Sequence, residues 1–281
     1  MRAIWNYIRW HLVQADRAYR ALAVRADGRL FCAMFNFRAW VRRRDVRFRL
    51  DRDSRSYIAE SGPYRRRFQA KFQNLNSYLN GLAARGSVLG DDYFLPEIDF
   101  RDGDVVVDCG ANVGDLKLYF DDRNISIDYH GIEPSPAEYA CLEANVTPAR
   151  TYHMGLWHTD DSLDFYVSSH NADSSFFKPA DAWTEIVRVP TRRLDSFFTQ
   201  PIRLLKIEAE GAEPEALAGC ESLLDRIDYI SADLGFERGA QRESTLAPVT
   251  NYLLARNFEL IAVNSPRLVA LFRNKAAGGG D

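Results

Sequence analysis

The sequence predicts an α/β protein with a doubly wound, mainly parallel sheet that ends in a C-terminal antiparallel hairpin, preceded by a basic α+β N-terminal region. Three observations predict it. Strand-like and helix-like segments alternate from about residue 86 onward; a glycine loop separates the first strand of that series from its first helix; and the last two strands are joined by a link too short for a parallel crossover.

A length of 281 residues suits about two domains. A hydrophobic content of 46% is that of a folded protein with a substantial core, which excludes disordered and collagen-like classes. No window approaches the ~18 uncharged apolar residues of a membrane span, and the opening MRAIWNYIRWHLVQADR is too polar for a signal-peptide core. The chain is expected to be neither integral nor secreted. Cys32, Cys109, Cys141 and Cys220 lie far apart, without CxxC pairs or histidines at ligand spacing, so neither a disulfide framework nor a zinc site is expected. A cytoplasmic location fits best, with peripheral docking at the inner membrane face as its variant.

Residues 1–73 hold 18 Lys and Arg against 6 Asp and Glu, whereas residues 74–281 hold 18 against 33. The chain has a basic front and an acidic body. Seventeen of the 18 front cations are arginine, interleaved with aromatics such as Trp5, Trp10, Phe35 and Trp40. Arginine forks onto phosphate and stacks on rings, so an anionic partner is one expectation; a solvated face, or pairing with the acidic body, is the other. Ile4, Ile8, Leu12, Ala15, Tyr19 and Leu22 recur at steps of three and four and predict an amphipathic helix. It would dock on the body, on a partner subunit or on an anionic membrane surface.

Residues 46–58 partly alternate and predict strands, and residues 65–82 predict a helix broken by Gly81 and Gly86. The expected division is an N-terminal extension of residues 1–85, a main domain of residues 86–275 and a mobile tail of residues 276–281, whose composition cannot bury enough to stay ordered. In the main domain DVVVD at 104–108 reads as a doubly buried parallel strand, followed by the loop Gly110-Ala111-Asn112-Val113-Gly114 and a helix starting at Asp115. A second strand is expected at 129–133. The helix after it has an N-cap serine at Ser135, a first-turn proline and Glu138 three residues on, which together make a capping box. A third strand ends near Met154; an alternating insert at 162–168 and a strand at 186–189 follow. Strands at 202–208 and 229–233 and helices at 214–226 and 243–256 complete the alternation. The runs at 258–263 and 268–272 then form the hairpin, so one strand of the sheet is reversed.

Ligands of such sheets sit beyond the carboxyl ends of the strands, where strand order reverses. The loop at 108–114 lacks the GxGxxG of dinucleotide binders, because Asn112 replaces the middle glycine and an acid closes the strand. An amino-acid ligand suits it: Asp108 would take an ammonium, Gly110, Ala111 and Gly114 would allow close backbone approach, and the helix start would offer amides to a carboxylate. Glu133, 25 residues beyond Asp108, is placed to accept two ribose hydroxyls. An amino acid joined to a nucleoside is S-adenosylmethionine. Its expected contacts are Asp108, Gly110, Ala111, Asn112, Gly114, Glu133 and Met154.

The segments GDVVVDCGANVGD, GIEPSPAEYACLEANV, RRLDSF, LLKIEAEGAEPEALAG and LFRN resemble the FkbM-type methyltransferases over residues 75–275. The resemblance implies a Rossmann-like class I methyltransferase fold, S-adenosylmethionine as donor, and a hydroxyl acceptor on a glycan or secondary metabolite. In the family's KIDVEG pattern an acid commonly Asp is Glu208 here, and Ala209 stands where a larger aliphatic residue is common.

Methyl transfer to a hydroxyl is an in-line displacement helped by a base. Glu210 and Asp233 are the leading base candidates, with Glu208 and Lys206 behind them, and a mutually satisfied Lys206–Glu208 ion pair is the alternative for those two. Glu213 is expected to open the following helix. His170, Asp173 and Ser174, in a polar loop that has a counterpart in the family, together with Glu237 and Arg238, are expected to line the acceptor. His153, His158, His170 and the scattered acids make no recognisable metal motif. The leading expectation is therefore an O-methyltransferase acting on a sugar, glycan or lipid-linked saccharide, its basic front meeting an anionic membrane surface. An RNA methyltransferase is an alternative, although nucleic acid is not the favoured partner, because no RNA-binding module is visible and the acidic body would repel a polyanion. A non-catalytic scaffold that retains the fold is the third reading. Nothing in the sequence specifies the oligomeric state.

Overall fold

Alternate burial along short strands organises both halves of the chain. The structure, a computed structural model, describes residues 19, 22–23, 25–69, 77–168, 174–179, 183–265 and 267–276. The chain forms two compact units, Met1–Leu82 and Ala83–Asp281.

In the first unit, helix α1 (Gly28–Val41) is capped by Asp27, whose Oδ1 accepts the Gly28 amide at 3.0 Å and the Tyr57 hydroxyl at 2.7 Å. An antiparallel meander follows, made of β1 (Arg47–Asp51), β2 (Ser56–Ser61) and β3 (Tyr64–Phe68). Phe31 and Phe35 of α1 pack on Phe48, with the Phe35 and Phe48 rings stacked at 3.6 Å. The helix expected over 65–82 is replaced at its start by β3. Arginine is a good helix former, but Arg67 and Arg65 face carboxylates across the meander, Asp51 at 2.9 Å and Glu60 at 4.0 Å, while Arg66 and Phe68 turn inward with period two. Most of the expected stripe from Ile4 to Leu22, and the tail from residue 277, lie outside the described residues.

The second unit opens with α2 (Leu82–Asp92), which runs straight through Gly86. A Cβ on Gly86 would lie 2.7 Å from the Leu118 carbonyl carbon, and one on Gly90 would lie 2.1 Å from the Tyr119 ring. These glycines permit close packing rather than ending a helix. Next come β4 (Val105–Cys109), α3 (Lys117–Asp122), β5 (Asp128–Ile132), α4 (Pro136–Val146) and β6 (Arg150–Tyr152). An insert of β7 (Gly155–Leu156), β8 (Asp161–Val167) and β9 (Glu185–Arg192) forms its own three-stranded sheet. The main sheet resumes with β10 (Ile202–Ile207), α5 (Glu213–Ala218), β11 (Ile227–Asp233), the small pair β12 (Phe236–Arg238) and β13 (Glu243–Ser244), α6 (Leu246–Leu254), β14 (Phe258–Val263) and β15 (Val269–Asn274).

Seven strands make the main sheet in the order β14-β15-β11-β10-β4-β5-β6. Strands β11, β10, β4, β5 and β6 are parallel, and β15 runs antiparallel between β11 and β14. Side-chain alternation divides the core between the two faces. Val107, Leu205, Ile207 and Phe272 join one apolar cluster, while Val106, Leu204, Val269 and Leu271 join the other. This is the doubly wound sheet with a terminal antiparallel hairpin that the sequence predicts.

Local corrections have local causes. The helix expected at 214–226 ends at Ala218 and continues as a 3-10 turn over Glu221–Arg226, because Gly219 is pressed against the Trp157 carbonyl, which a Cβ would approach to 2.1 Å. The helix expected from residue 243 starts at Leu246, since Glu243 and Ser244 pair with β12. The capping box does not form: the Ser135 amide goes to Glu133 Oε1 at 2.9 Å, and the Ser135 hydroxyl donates to the Glu138 carboxylate instead. The helix expected at Asp115 begins at Lys117; Asp115 Oδ2 accepts from Arg85 Nε at 3.0 Å.

Candidate functional site

Strand order reverses between β4 and β10, and the two loops that leave their carboxyl ends touch. Gly110 (φ 71°) lies so close to Glu208 that a Cβ would be 1.8 Å from the Glu208 carbonyl oxygen. The first loop is left-handed at Gly110, Asn112 (φ 51°) and Gly114, a conformation glycine adopts freely and asparagine tolerates. It is tied to β5, because the Gly110 and Ala111 amides both donate to Ile132 O at 3.0 Å. The Asn112 amide donates to Glu133 Oε2 at 2.8 Å. Glu133 is thus a buried carboxyl held by one backbone N–H on each oxygen. Burial pushes its pKa up to about 8 against the pull of those two amides.

Asp108, expected to take the ligand's ammonium, has partners within the fold. It is 1% exposed; Tyr129 Oη donates to its Oδ2 at 2.6 Å, and Lys206 Nζ lies 3.0 Å from its Oδ1. The cause is strand register, which sets Lys206 of β10 directly beside Asp108 of β4. Lys206, itself 3% exposed, also donates to Gly110 O at 2.8 Å and lies 3.2 Å from Glu208 Oε2. Burial alone would lower its pKa, but Asp108 and Glu208 outweigh burial and raise it. This lysine is a permanent cation that ties the glycine loop to β10.

The network continues through a residue that sequence reasoning missed. Arg267 Nη2 donates to Glu208 Oε1 at 2.7 Å and to Asp233 Oδ2, and its Nε donates to the same Asp233 oxygen at 3.0 Å. The Tyr93 ring lies 5.1 Å from Lys206 Nζ and 5.7 Å from Arg267 Cζ. Burial would raise the Glu208 carboxyl, but Lys206 and Arg267 hold it down at about 2. Asp233, 1% exposed, is raised by burial in spite of Arg267. Since β15 is reversed, the link before it lies at the carboxyl end of the parallel strands. A lone arginine in that link was the available signal.

Glu210, a leading base candidate, is left-handed (φ 49°) and precedes Gly211 (φ 94°). The strain is held locally: Glu213 Oε1 accepts the Ala209 and Gly211 amides at 3.0 and 3.1 Å, Thr245 Oγ1 donates to Glu213 Oε2 at 2.8 Å, and Ser175 Oγ donates to Glu210 O at 2.9 Å. Glu213 is both the first residue of α5 and the clamp of this loop. Arg238, expected at the acceptor, forks onto Glu215 at 2.7 and 2.8 Å and donates to Gly211 O. Ser174 Oγ accepts the Ser168 amide at 2.9 Å, which pins the insert. His170 and Asp173 lie outside the described residues. Met154 is 6% exposed within the core beside Ile132.

Glu237 is different. It follows β11 on β12, half-buried, with Oε2 shielded from solvent and without a hydrogen-bond partner among the described residues. Burial, and then the carboxylates of Asp233, Glu208 and Glu213, push its pKa up to about 8 despite Arg267. Among the described residues no group of three or more His, Cys, Asp or Glu is placed to hold a metal. All four cysteines are buried.

The strand order, the glycine loop at the switch point and a buried acid at the end of the second strand define a class I methyltransferase. Residues 108–260 match the Methyltransferase FkbM domain model, and the chain belongs to that family. It is 26% identical over 212 residues to the 31-O-demethyl-FK506 methyltransferase FkbM of Streptomyces tacrolimicus, covering 62% of this chain and 80% of that protein. It is 24% identical over 169 residues to Methyltransferase 1 of Beauveria bassiana, covering 50% of this chain and 68% of that one. The crystal structure of methyltransferase FkbM from Methylobacillus flagellatus superposes with a TM-score of 0.46 at 17% identity, over 72% of this chain and 54% of that one. The chain thus spans about half the length of that solved structure. S-adenosylmethionine is the cofactor. The residues fit it: Glu133 has spare acceptor capacity on both oxygens for a ribose diol, and the glycine loop beside it lets a ligand approach the backbone.

Proposed function

We propose that the protein is an O-methyltransferase whose acceptor is a hydroxyl of a sugar, a glycan, a lipid-linked saccharide or a related secondary metabolite. The observation that carries this reading is Glu237, a carboxyl with Oε2 shielded from solvent and without an ion pair among the described residues, on the segment that leaves the carboxyl end of β11. An alcohol must lose its proton as its oxygen attacks, and a carboxyl poised near pH 8 is a better acceptor than one held near 2. Glu208 pairs with two cations and Asp233 with Arg267, which favours Glu237 over both as the base. The relative from Streptomyces is named for an O-demethyl compound, which supports an oxygen acceptor.

Bound S-adenosylmethionine supplies an electrophilic methyl on a sulfonium. The chain's part is to hold and to deprotonate. Glu133 would accept the ribose hydroxyls, Gly110 to Gly114 would lie along the donor, Lys206 and Asp108 keep that loop in place, and Glu237 takes the hydroxyl proton.

Calorimetric titration with S-adenosylmethionine, followed by transfer of a labelled methyl group to a panel of saccharides and to RNA, tests the reading. The expected result is micromolar donor binding, weakened at least tenfold by Glu133→Ala, with label on a saccharide. Label on RNA would replace the acceptor class, and absence of donor binding to folded protein would leave the scaffold reading.

A further inference from the structure

Helix α1 is apolar on two sides. Phe31, Phe35 and Ala39 are buried, yet Leu30, Phe37, Trp40 and Val41 are 61, 65, 73 and 57% exposed. Their spacing places them, with the exposed Ala33, on one stripe of the helix, and the Phe37 and Trp40 rings lie 5.9 Å apart. A surface helix ordinarily turns polar side chains outward, and a contiguous apolar stripe of this kind marks a docking face.

Immediately after the stripe the chain is cationic. Arg43, Arg44 and Arg47 are all exposed. Arg44 and Arg47 join Asn36, Trp40, Asp45 and Val46 around an open cavity of about 370 Å³.

We propose that this face of α1 docks on an anionic lipid membrane, with the apolar stripe entering the boundary between headgroups and acyl chains and the arginines meeting lipid phosphates. A tryptophan at the rim of an apolar stripe, followed by arginines, suits a headgroup interface, where one end of the indole is apolar and the other wet. A parallel two-fold pairing through this stripe would bring the two arginine clusters together, whereas an anionic surface complements them wherever the stripe docks. No helix among the described residues is long and apolar enough to cross a membrane, so the mode is attachment to one leaflet.

Co-sedimentation of the full chain with vesicles tests this, comparing pure phosphatidylcholine with phosphatidylcholine containing phosphatidylserine at about 30%. Expected is at least tenfold stronger binding to the anionic vesicles, weakened when salt rises from 0.15 to 0.5 M. Phe37→Ser with Trp40→Ser should reduce binding at least tenfold, and Arg43→Gln with Arg44→Gln and Arg47→Gln should remove the preference for anionic lipid. Circular dichroism and the melting temperature check that each variant folds. Equal binding by wild type and the Ser pair would overturn the proposal. So would a wild-type dimer in light scattering that becomes monomeric in the Ser pair without any vesicle binding, or a lower melting temperature in the Ser pair, which would show the face covered by another part of the chain.

Discussion

Glu208 and Glu237 are the same residue type on segments leaving adjacent strands, and their carboxyls are tuned in opposite directions. Both are drawn out of water, which by itself raises a carboxyl. Glu208 has Lys206 at 3.2 Å and Arg267 at 2.7 Å and is held at about 2. Glu237 has carboxylates as its main electrostatic neighbours and is pushed to about 8. Counterion supply separates a carboxylate held ionised from one held in its neutral form. The register of β4 against β10 and the reversal of β15 decide who receives the cations.

The comparison can be broken most severely at its acceptor end. Glu237→Gln should lower kcat by about 10²- to 10⁴-fold while donor affinity by calorimetry changes less than about twofold; an equal loss of donor affinity would assign Glu237 to binding instead. In the wild type kcat/KM should rise with pH through about 8, and that limb should vanish in the variant.

At the other end, Lys206→Met leaves Asp108 buried without its cation and frees the Gly110 carbonyl. Removing one partner of a buried pair costs about 3–5 kcal/mol, measurable by urea unfolding, and donor binding should weaken with it.

The two carboxyls also have opposite linkage to pH. Glu237, like Glu133, has a folded value of about 8, above its ordinary 4.5. The folded state therefore holds extra protons between those values, and the stability from these groups falls as pH rises from 4.5 to 8. Glu208 is the reverse: its contribution is present above 4.5 and is lost as pH falls toward 2. Urea unfolding at pH 5 and pH 9 should show Glu237→Gln gaining on the wild type at the higher pH by up to a few kcal/mol.

The smallest effect is at the strained loop between them. Ser175→Ala removes the hydroxyl that holds the Glu210 carbonyl and should cost about 1 kcal/mol. A larger fall in kcat than in stability would show that this loop positions the acceptor.

The glycine loop and Glu133 were legible because their signal is local: an apolar run, an acid, glycines at fixed offsets and a second acid 25 residues on. The terminal hairpin was legible from the length of one link. The partner of Asp108 was not legible because it lies 98 positions away in the chain, and only strand pairing brings Lys206 against it. Arg267 was passed over for a similar reason, because its distance from Glu208 is 59 residues along the chain but 2.7 Å in space. The helix expected over 65–82 failed where propensity met cross-strand carboxylates.

By itself the sequence determined the alternation of strands and helices, the reversed last strand and the glycine loop after the first strand of the main sheet, since these follow from periodicity, turn residues and link lengths. Which carboxyls are paired with cations and which is left among other carboxylates was decided only by the tertiary structure. Charge is shared between groups a few ångströms apart, and those distances exist only after the strands have chosen their neighbours.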